Sequence, residues 1–268
     1  MQPDLEPYKH PDEENFKTRT GIATAPLPDA TEGVRADWHT LPAAVSKPTE
    51  AMKLHVSGPI PLDPGLVKID FTWTNGASFV DARIFVSSVG PTQARERLVS
   101  VASSTQMMKI PFERGPSDLG DVAVQSVAGP SRTFIWAFRN VCVQVDNGGS
   151  GFPVEPVARA IQRFMETNVI AEVRRYAPKA ESVELSPTPI QVGNKVTLQV
   201  TLAKGTTVDS LFTSMDQPGE SLLDEKDIQP LRTTYRAELP GKSRIDVVLA
   251  DRKTLLSSAL SVPLEVLP

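Results

Sequence analysis

From Val67 to Thr74 apolar and polar residues alternate without a break, with Val67, Ile69, Phe71 and Trp73 on one face and Lys68, Asp70, Thr72 and Thr74 on the other. A period of two predicts a half-buried strand with water on its second side. Asn75-Gly76 follows, a dipeptide suited to a tight turn that needs positive φ, and Phe79 to Val86 reads as the returning strand. Pro91 then opens a different rhythm: Ala94, Leu98, Val101 and Ala102 recur at helical spacing, and proline suits a first helical turn because its missing N–H has no partner there. Three further strands are predicted at Val122–Val127, Thr133–Phe138 and Val141–Val145. Asn147-Gly148-Gly149-Ser150-Gly151 reads as a flexible break. After it Val154, Val157, Ala158, Ile161, Phe164 and Met165 form an apolar stripe opposite Arg159, Gln162, Arg163 and Glu166, the clearest helix of the chain. Residues 51–170 thus predict an α+β domain, a largely antiparallel sheet covered on one face by two helices.

The rhythm changes again towards the C-terminus. Val183, Thr197, Leu198, Val200 and Leu202 lead into Tyr235, Ile245, Val247, Leu249, Leu260, Val262 and Val266, with Gly193-Asn194 and Pro240-Gly241 as turns between short strands. Residues 183–268 predict an all-β sandwich, joined to the first domain through a polar linker at 171–182. Between Ser103 and Leu119 the pattern reads as a loop that carries Met107, Met108, Ile110 and Phe112. Residues 1–50 hold Pro3, Pro7, Pro11, Pro26, Pro28, Pro42 and Pro48 among charged residues and few apolar ones. Such a stretch predicts an extended proline-rich tail or tether, because it offers little surface to offset its ordering entropy. The alternative is a peptide that docks on a partner or on its own domain through Phe16, Trp38 or Leu41.

Composition narrows the partners. The 268 residues carry a net charge of −4 and scattered basic residues, which argues against a nucleic-acid binder. No run reaches the eighteen or so apolar residues of a membrane span. The N-terminus has neither the basic nor the apolar region of a signal peptide, so either a cytoplasmic protein or a mature exported form is expected. The one cysteine, Cys142, excludes an intrachain disulfide and a cysteine-rich zinc site.

Candidate chemistry is sparse. There are three histidines, His10, His39 and His55, and only His55 falls within a predicted folded domain. Nucleophilic catalysis of the Ser-His-Asp or Cys-His kind needs a histidine held by a scaffold, and no pair has metal-ligand spacing. Cys142 lies between Val141 and Val143 on a strand and reads as a small buried filler rather than a nucleophile. The glycines at 148, 149 and 151 precede a helix, as in a phosphate cradle, yet neither a Lys-Ser/Thr pair nor the dinucleotide spacing follows. Asp224, Glu225 and Asp227, with Asp246 and Asp251, could serve calcium, although the regular acidic loop is absent and a solvated loop explains them. Trp73, Trp136 and Phe138 stand at alternating strand positions, where they read either as a ligand platform on the sheet or as packing under a helix. Asp121 and Arg139 are placed to pair across neighbouring strands.

The segment "VELSPTPIQVGNKVTLQVTLAKGTTVDSLF" together with "YRAELPGKSRIDVVLADRKTLLSSALSVPLEV" resembles the immunoglobulin-like or cadherin-like domains of bacterial exported proteins. The segment "LGDVAVQS…RTFIWAFRNVCVQVDNGGSGFPVEPVARAIQRFM" resembles a small α+β module of uncharacterised bacterial proteins. The first resemblance implies an exported, periplasmic or extracellular protein, with a cytoplasmic one as the alternative. The expectation is a non-catalytic binding or assembly protein, without cofactor or metal, that acts on a protein partner. Two alternatives stand beside it: an enzyme with a carboxylate- or serine-based site in the α+β domain, and a structural subunit of a larger complex.

Overall fold

The computed structural model describes residues 13–105, 112–126, 132–148, 152–206, 208, 210–215, 222–229 and 231–268. The chain divides into two compact units, residues 1–60 with 68–174 and residues 61–67 with 175–268. It is mostly β, with four α-helices among the described residues and several antiparallel sheets, an α+β protein. None of these helices is long and apolar enough to cross a membrane.

Most of the first unit is organised on a seven-stranded sheet, of which residues 61–67, at the end of β2 and the start of β3, count with the second unit. Its strands are β2 (Lys53–Asp63), β3 (Leu66–Thr74), β4 (Phe79–Ser87), β5 (Phe112–Arg114), β6 (Val122–Ser126), β7 (Thr133–Phe138) and β8 (Val141–Gly148), in spatial order β2-β3-β4-β8-β7-β6-β5. The alternation of β3 is realised as predicted: Val67, Ile69, Phe71 and Trp73 are buried, and the intervening polar residues are half-buried rather than open to water. The turn after β3 spans Asn75 to Ser78. Gly76 takes φ 89°, a left-handed conformation that glycine adopts without Cβ strain, while the Asn75 Oδ1 accepts from the N–H groups of Ala77 and Ser78.

Helix α3 (Pro91–Thr105) and helix α4 (Val154–Glu166) both form where the apolar stripes lie. They do not share one face of the sheet, as the sequence predicted. Register sets Phe85 opposite Cys142, and Cys142 opposite Ala137; the adjacent pairs Ile84–Val143 and Trp136–Val143 point the other way. Arg97 of α3 lies over the Phe85 ring, and Gln162 of α4 bonds to Trp136. The helices therefore cover opposite faces, which explains why β7 and β8 carry near-continuous apolar runs rather than alternation.

The largest departure from expectation is residues 13–50. Instead of an extended tail they form α1 (Glu13–Thr20), the short strand β1 (Gly33–Val34), a 3₁₀ turn at Trp38–Thr40 and α2 (Leu41–Ala44). Phe16, Ile22, Val34, Trp38, Leu41 and Val45 are buried, and Trp38 meets Phe164 of α4 at 5.7 Å between ring centres. β1 pairs antiparallel with β9 (Val169–Ile170). The few apolar residues of this stretch suffice because the rest of the unit supplies the surface they bury against. The expected linker is also structured: Val173–Tyr176 is a 3₁₀ turn with Val173 buried, and β10 (Ala180–Ser186) begins before its predicted end.

The second unit holds two four-stranded sheets. One is β10, β12 (Lys195–Leu202), β15 (Arg232–Ala237) and β14 (Leu223–Gln229). The other is β11 (Ile190–Gln191), β17 (Ser257–Leu267), β16 (Gly241–Ala250) and β13 (Ser210–Met215). Neighbours are antiparallel except β11, which runs parallel to the end of β17. One buried cluster draws on both sheets, with Val196, Leu198 and Tyr235 from the first and Ile245, Val247 and Leu264 from the second.

Candidate functional site

Two places in the first unit gather side chains in a way that packing alone does not require. The first is a groove of about 890 Å³ between α1, the segment that follows it, and α3. The residues of α3 at the helical stripe face the sheet, which leaves Arg95, Val99 and Ser103 on the adjoining face of the helix, towards the groove. Opposite them stand Ile22, Ala23 and Leu27. The Arg95 guanidinium donates to the carbonyls of Ala25 and Pro26, both at 2.7 Å, and so ties the 21–27 segment to α3. On the rim Lys17 pairs with Glu13 at 2.5 Å, one helical turn away. The lining is mostly apolar with both signs of charge at its edge, and its volume falls within the range of ligand and peptide sites.

The second is a polar patch on the α3 side of the sheet. Asp81 of β4 and Asp146 of β8 are directly opposite in register. Thr72 donates to Asp81 at 2.6 Å, Arg83 donates to Asp146 at 3.3 Å, and Gln144 donates to the same oxygen at 2.8 Å. Lys68 and Asp70 form an ion pair at 2.7 Å nearby on β3, and the second Asp70 oxygen is buried without a hydrogen-bond partner. Burial pushes the Asp146 carboxyl up from the ordinary range; Arg83 opposes this and the Asp81 charge adds to it. Asp146 thus binds its proton more tightly in the folded chain than in the unfolded one, so stability declines as pH rises from the unfolded midpoint through the folded one. Asp146→Asn is expected to flatten that decline and to raise stability at neutral pH, measured by denaturant unfolding between about pH 4 and pH 7.

A third cluster, around Asp121, is structural. Asp121 accepts from the backbone N–H of Arg139 at 2.6 Å rather than pairing side chain to side chain, and this holds Arg139 at φ 53°. The Arg139 guanidinium pairs instead with Glu32 at 3.2 Å.

The residues singled out from the sequence fall elsewhere. Trp73 and Trp136 are 2% and 0% exposed, so neither serves as a platform; Trp73 stacks on Phe71, and the Trp136 Nε1 donates to Gln162. Phe138 is half-buried beside the Arg139 guanidinium. Cys142 is fully buried, and burial pushes its thiol well up, away from the thiolate a nucleophile needs. His55 is exposed on β2, His39 sits in the 3₁₀ turn, and His10 lies outside the described residues. Gly148 ends β8, where a Cβ would run into the Phe79 ring, whereas 149 and 151 lie outside the described residues. Asp224, Glu225 and Asp227 fall on β14 rather than on a loop. Asp246 accepts from Ser261, and Asp251 caps a turn by accepting from Lys253 and Thr254. Among the described residues no cluster of three or more His, Cys, Asp or Glu side chains could hold a metal ion.

The groove was missed because half of it lies in the stretch read as a tail. Its one signal in the sequence is the Glu13–Lys17 spacing, which suits a helical ion pair.

No known protein family and no curated protein matches the chain. Among solved structures it is similar to a polysaccharide lyase, at a TM-score of 0.22 and 8% identity over 81% of this chain and 35% of that one. The chain spans about a third of that structure's length. The expectation that the protein is not an enzyme is corrected by this match, since the neighbour bears an enzyme's name. The physical reason is that scarcity of histidine and cysteine excludes only their chemistry, whereas the facing carboxylates of Asp81 and Asp146 become visible only in the register of β4 and β8. So distant a likeness carries neither a residue nor a substrate across.

Proposed function

We propose that the protein works by binding or assembly, and that the groove between α1 and α3 receives a segment of a protein partner. The observation that carries this reading is the groove itself, an apolar floor of Ile22, Leu27 and Val99 within a charged rim. An apolar centre inside a polar border is the usual build of a protein-recognition surface. Peptides selected from a displayed random library against the intact protein are expected to bind it, and to lose at least about tenfold in affinity on Val99→Glu, which places a charge on the floor. Leu27→Glu, at a position 52% exposed, repeats the test without disturbing the core. Peptides that bind both variants as well as the parent remove the reading.

The second unit is read as an immunoglobulin-like sandwich that spaces or docks the first. Its strand order, β10-β12-β15-β14 facing β11-β17-β16-β13 with β11 parallel to β17, supports this. An exported location follows from the same analogy, and fractionation of the native source tests it.

A further inference from the structure

The residues that line the groove lie on α1, on α3 and on the segment 21–27 that follows α1, and none of them is in a strand. The peptide groups of these walls are largely engaged. Inside α3 they bond along the helix. At the end of α1 the Lys17 and Thr18 carbonyls accept from the N–H groups of Ala23 and Gly21, and the Ala25 N–H donates to the Gly21 carbonyl. The Ala25 and Pro26 carbonyls are held by Arg95. An extended peptide laid here would find no strand edge to pair with. Its own N–H and C=O groups would be buried on Ile22, Leu27 and Val99 without partners. A helix bonds its own peptide groups and meets no such cost.

Length and depth agree with a helical occupant. Thr92, Arg95, Val99 and Ser103 follow one another at three- and four-residue spacing, so the groove runs along α3 rather than across it. From Thr92 to Ser104 this wall is about 18 Å long, the span of about three helical turns. The short side chains of Ala23, Ser100 and Ser103 leave depth for larger apolar ones from an occupant. Among the charged lining residues Glu13 and Lys17 hold each other and Arg95 holds the two carbonyls. That leaves the exposed Glu96 to meet a basic residue.

We propose that the groove takes an amphipathic α-helix of a protein partner, lying along α3 with its apolar face inward and a lysine or arginine towards Glu96. This rests on the reading of the groove as a binding site. Two displayed libraries of peptides about 14 residues long test it on the intact protein, one with apolar residues at helical spacing and one with apolar and polar residues alternating. Binders that lose at least about tenfold in affinity on Leu27→Glu depend on the groove, and they are expected from the helically spaced library. A proline at the centre of such a peptide is expected to weaken it about a hundredfold. Peptides of this length are mostly unfolded in water, so circular dichroism is expected to show helix gained on binding. Glu96→Lys is expected to weaken the basic peptides about fivefold. Leu27 and Glu96 are both exposed, so the fold is retained. Groove-dependent binders of equal affinity from the alternating library, or helically spaced ones that tolerate the proline, overturn the helix while leaving the groove a binding site. Indifference to Glu96→Lys overturns the proposal as well, and the absence of groove-dependent binders from both libraries removes the binding site itself.

Discussion

Replacing Asn140 by alanine is expected to destabilise the first unit by about 2–5 kcal/mol, because the change strands two buried backbone groups at once. Asn140 is fully buried in the turn between β7 and β8. Its Oδ1 accepts from the Val34 N–H at 2.6 Å and its Nδ2 donates to the Ser87 carbonyl at 2.8 Å, so one side chain joins β1, β4 and β8. The approach is close enough that a Cβ at Gly33 would lie 2.8 Å from the Asn140 Oδ1 and 2.5 Å from Val173, which is why the strand carries glycine there. Alanine removes both partners. Asn140→Asp serves as the sharper comparison: a carboxylate can still accept from Val34 but cannot donate to Ser87, and it buries a charge, so its effect should exceed that of alanine. Denaturant unfolding measures the loss. Limited proteolysis reports its location, since cleavage within residues 20–35 should accelerate before cleavage of the sheet. Equal stability of Asn140→Ala and the parent would show that the turn does not anchor the N-terminal segment.

Trp136→Ala is expected to cost about 3–5 kcal/mol, the range for emptying a large aromatic from a close-packed core. The indole is 0% exposed between the sheet and α4. Its Nε1 donates to the Gln162 Oε1 at 2.9 Å, but that oxygen also accepts from the Gly120 N–H at 3.1 Å. The packing and hydrogen-bond contributions are therefore separable. Trp136→Phe keeps most of the volume and leaves Gln162 satisfied by Gly120, so it should cost only about 1–2 kcal/mol. Thermal and denaturant midpoints of the pair measure the difference. Near-equal losses would mean that the hydrogen bond, not the ring, holds α4 on the sheet.

Both predictions turn on contacts that join distant parts of the chain, and this is where sequence reasoning succeeded and failed. Elements whose burial follows a local period were legible. The alternation of Val67–Thr74 became β3, and the stripe from Val154 to Met165 became α4, because a strand or helix half-covered by one neighbour imprints its own repeat on the sequence. The partition of the two helices between opposite faces was not legible. An apolar stripe says that a helix is covered, not which face of a sheet covers it.

Residues 13–50 mark the limit more sharply. Their prolines and charges match those of a tether, and each apolar residue is isolated from the next. Phe16, Trp38 and Leu41 are core residues only because α4 and the rest of the unit come to them. The candidate sites share that dependence: the groove joins residues 13–27 to residues 92–104, and Asp81 meets Asp146 solely through the register of β4 and β8.

What the chain's residues determined alone was therefore the kind of each regular element, the α+β class, and the scarcity of histidine and cysteine chemistry. Local periodicity and composition carry these. Tertiary structure decided the rest: the burial of the N-terminal segment, the groove and the paired carboxylates. Each depends on which surfaces meet, and long-range proximity leaves no period in a sequence.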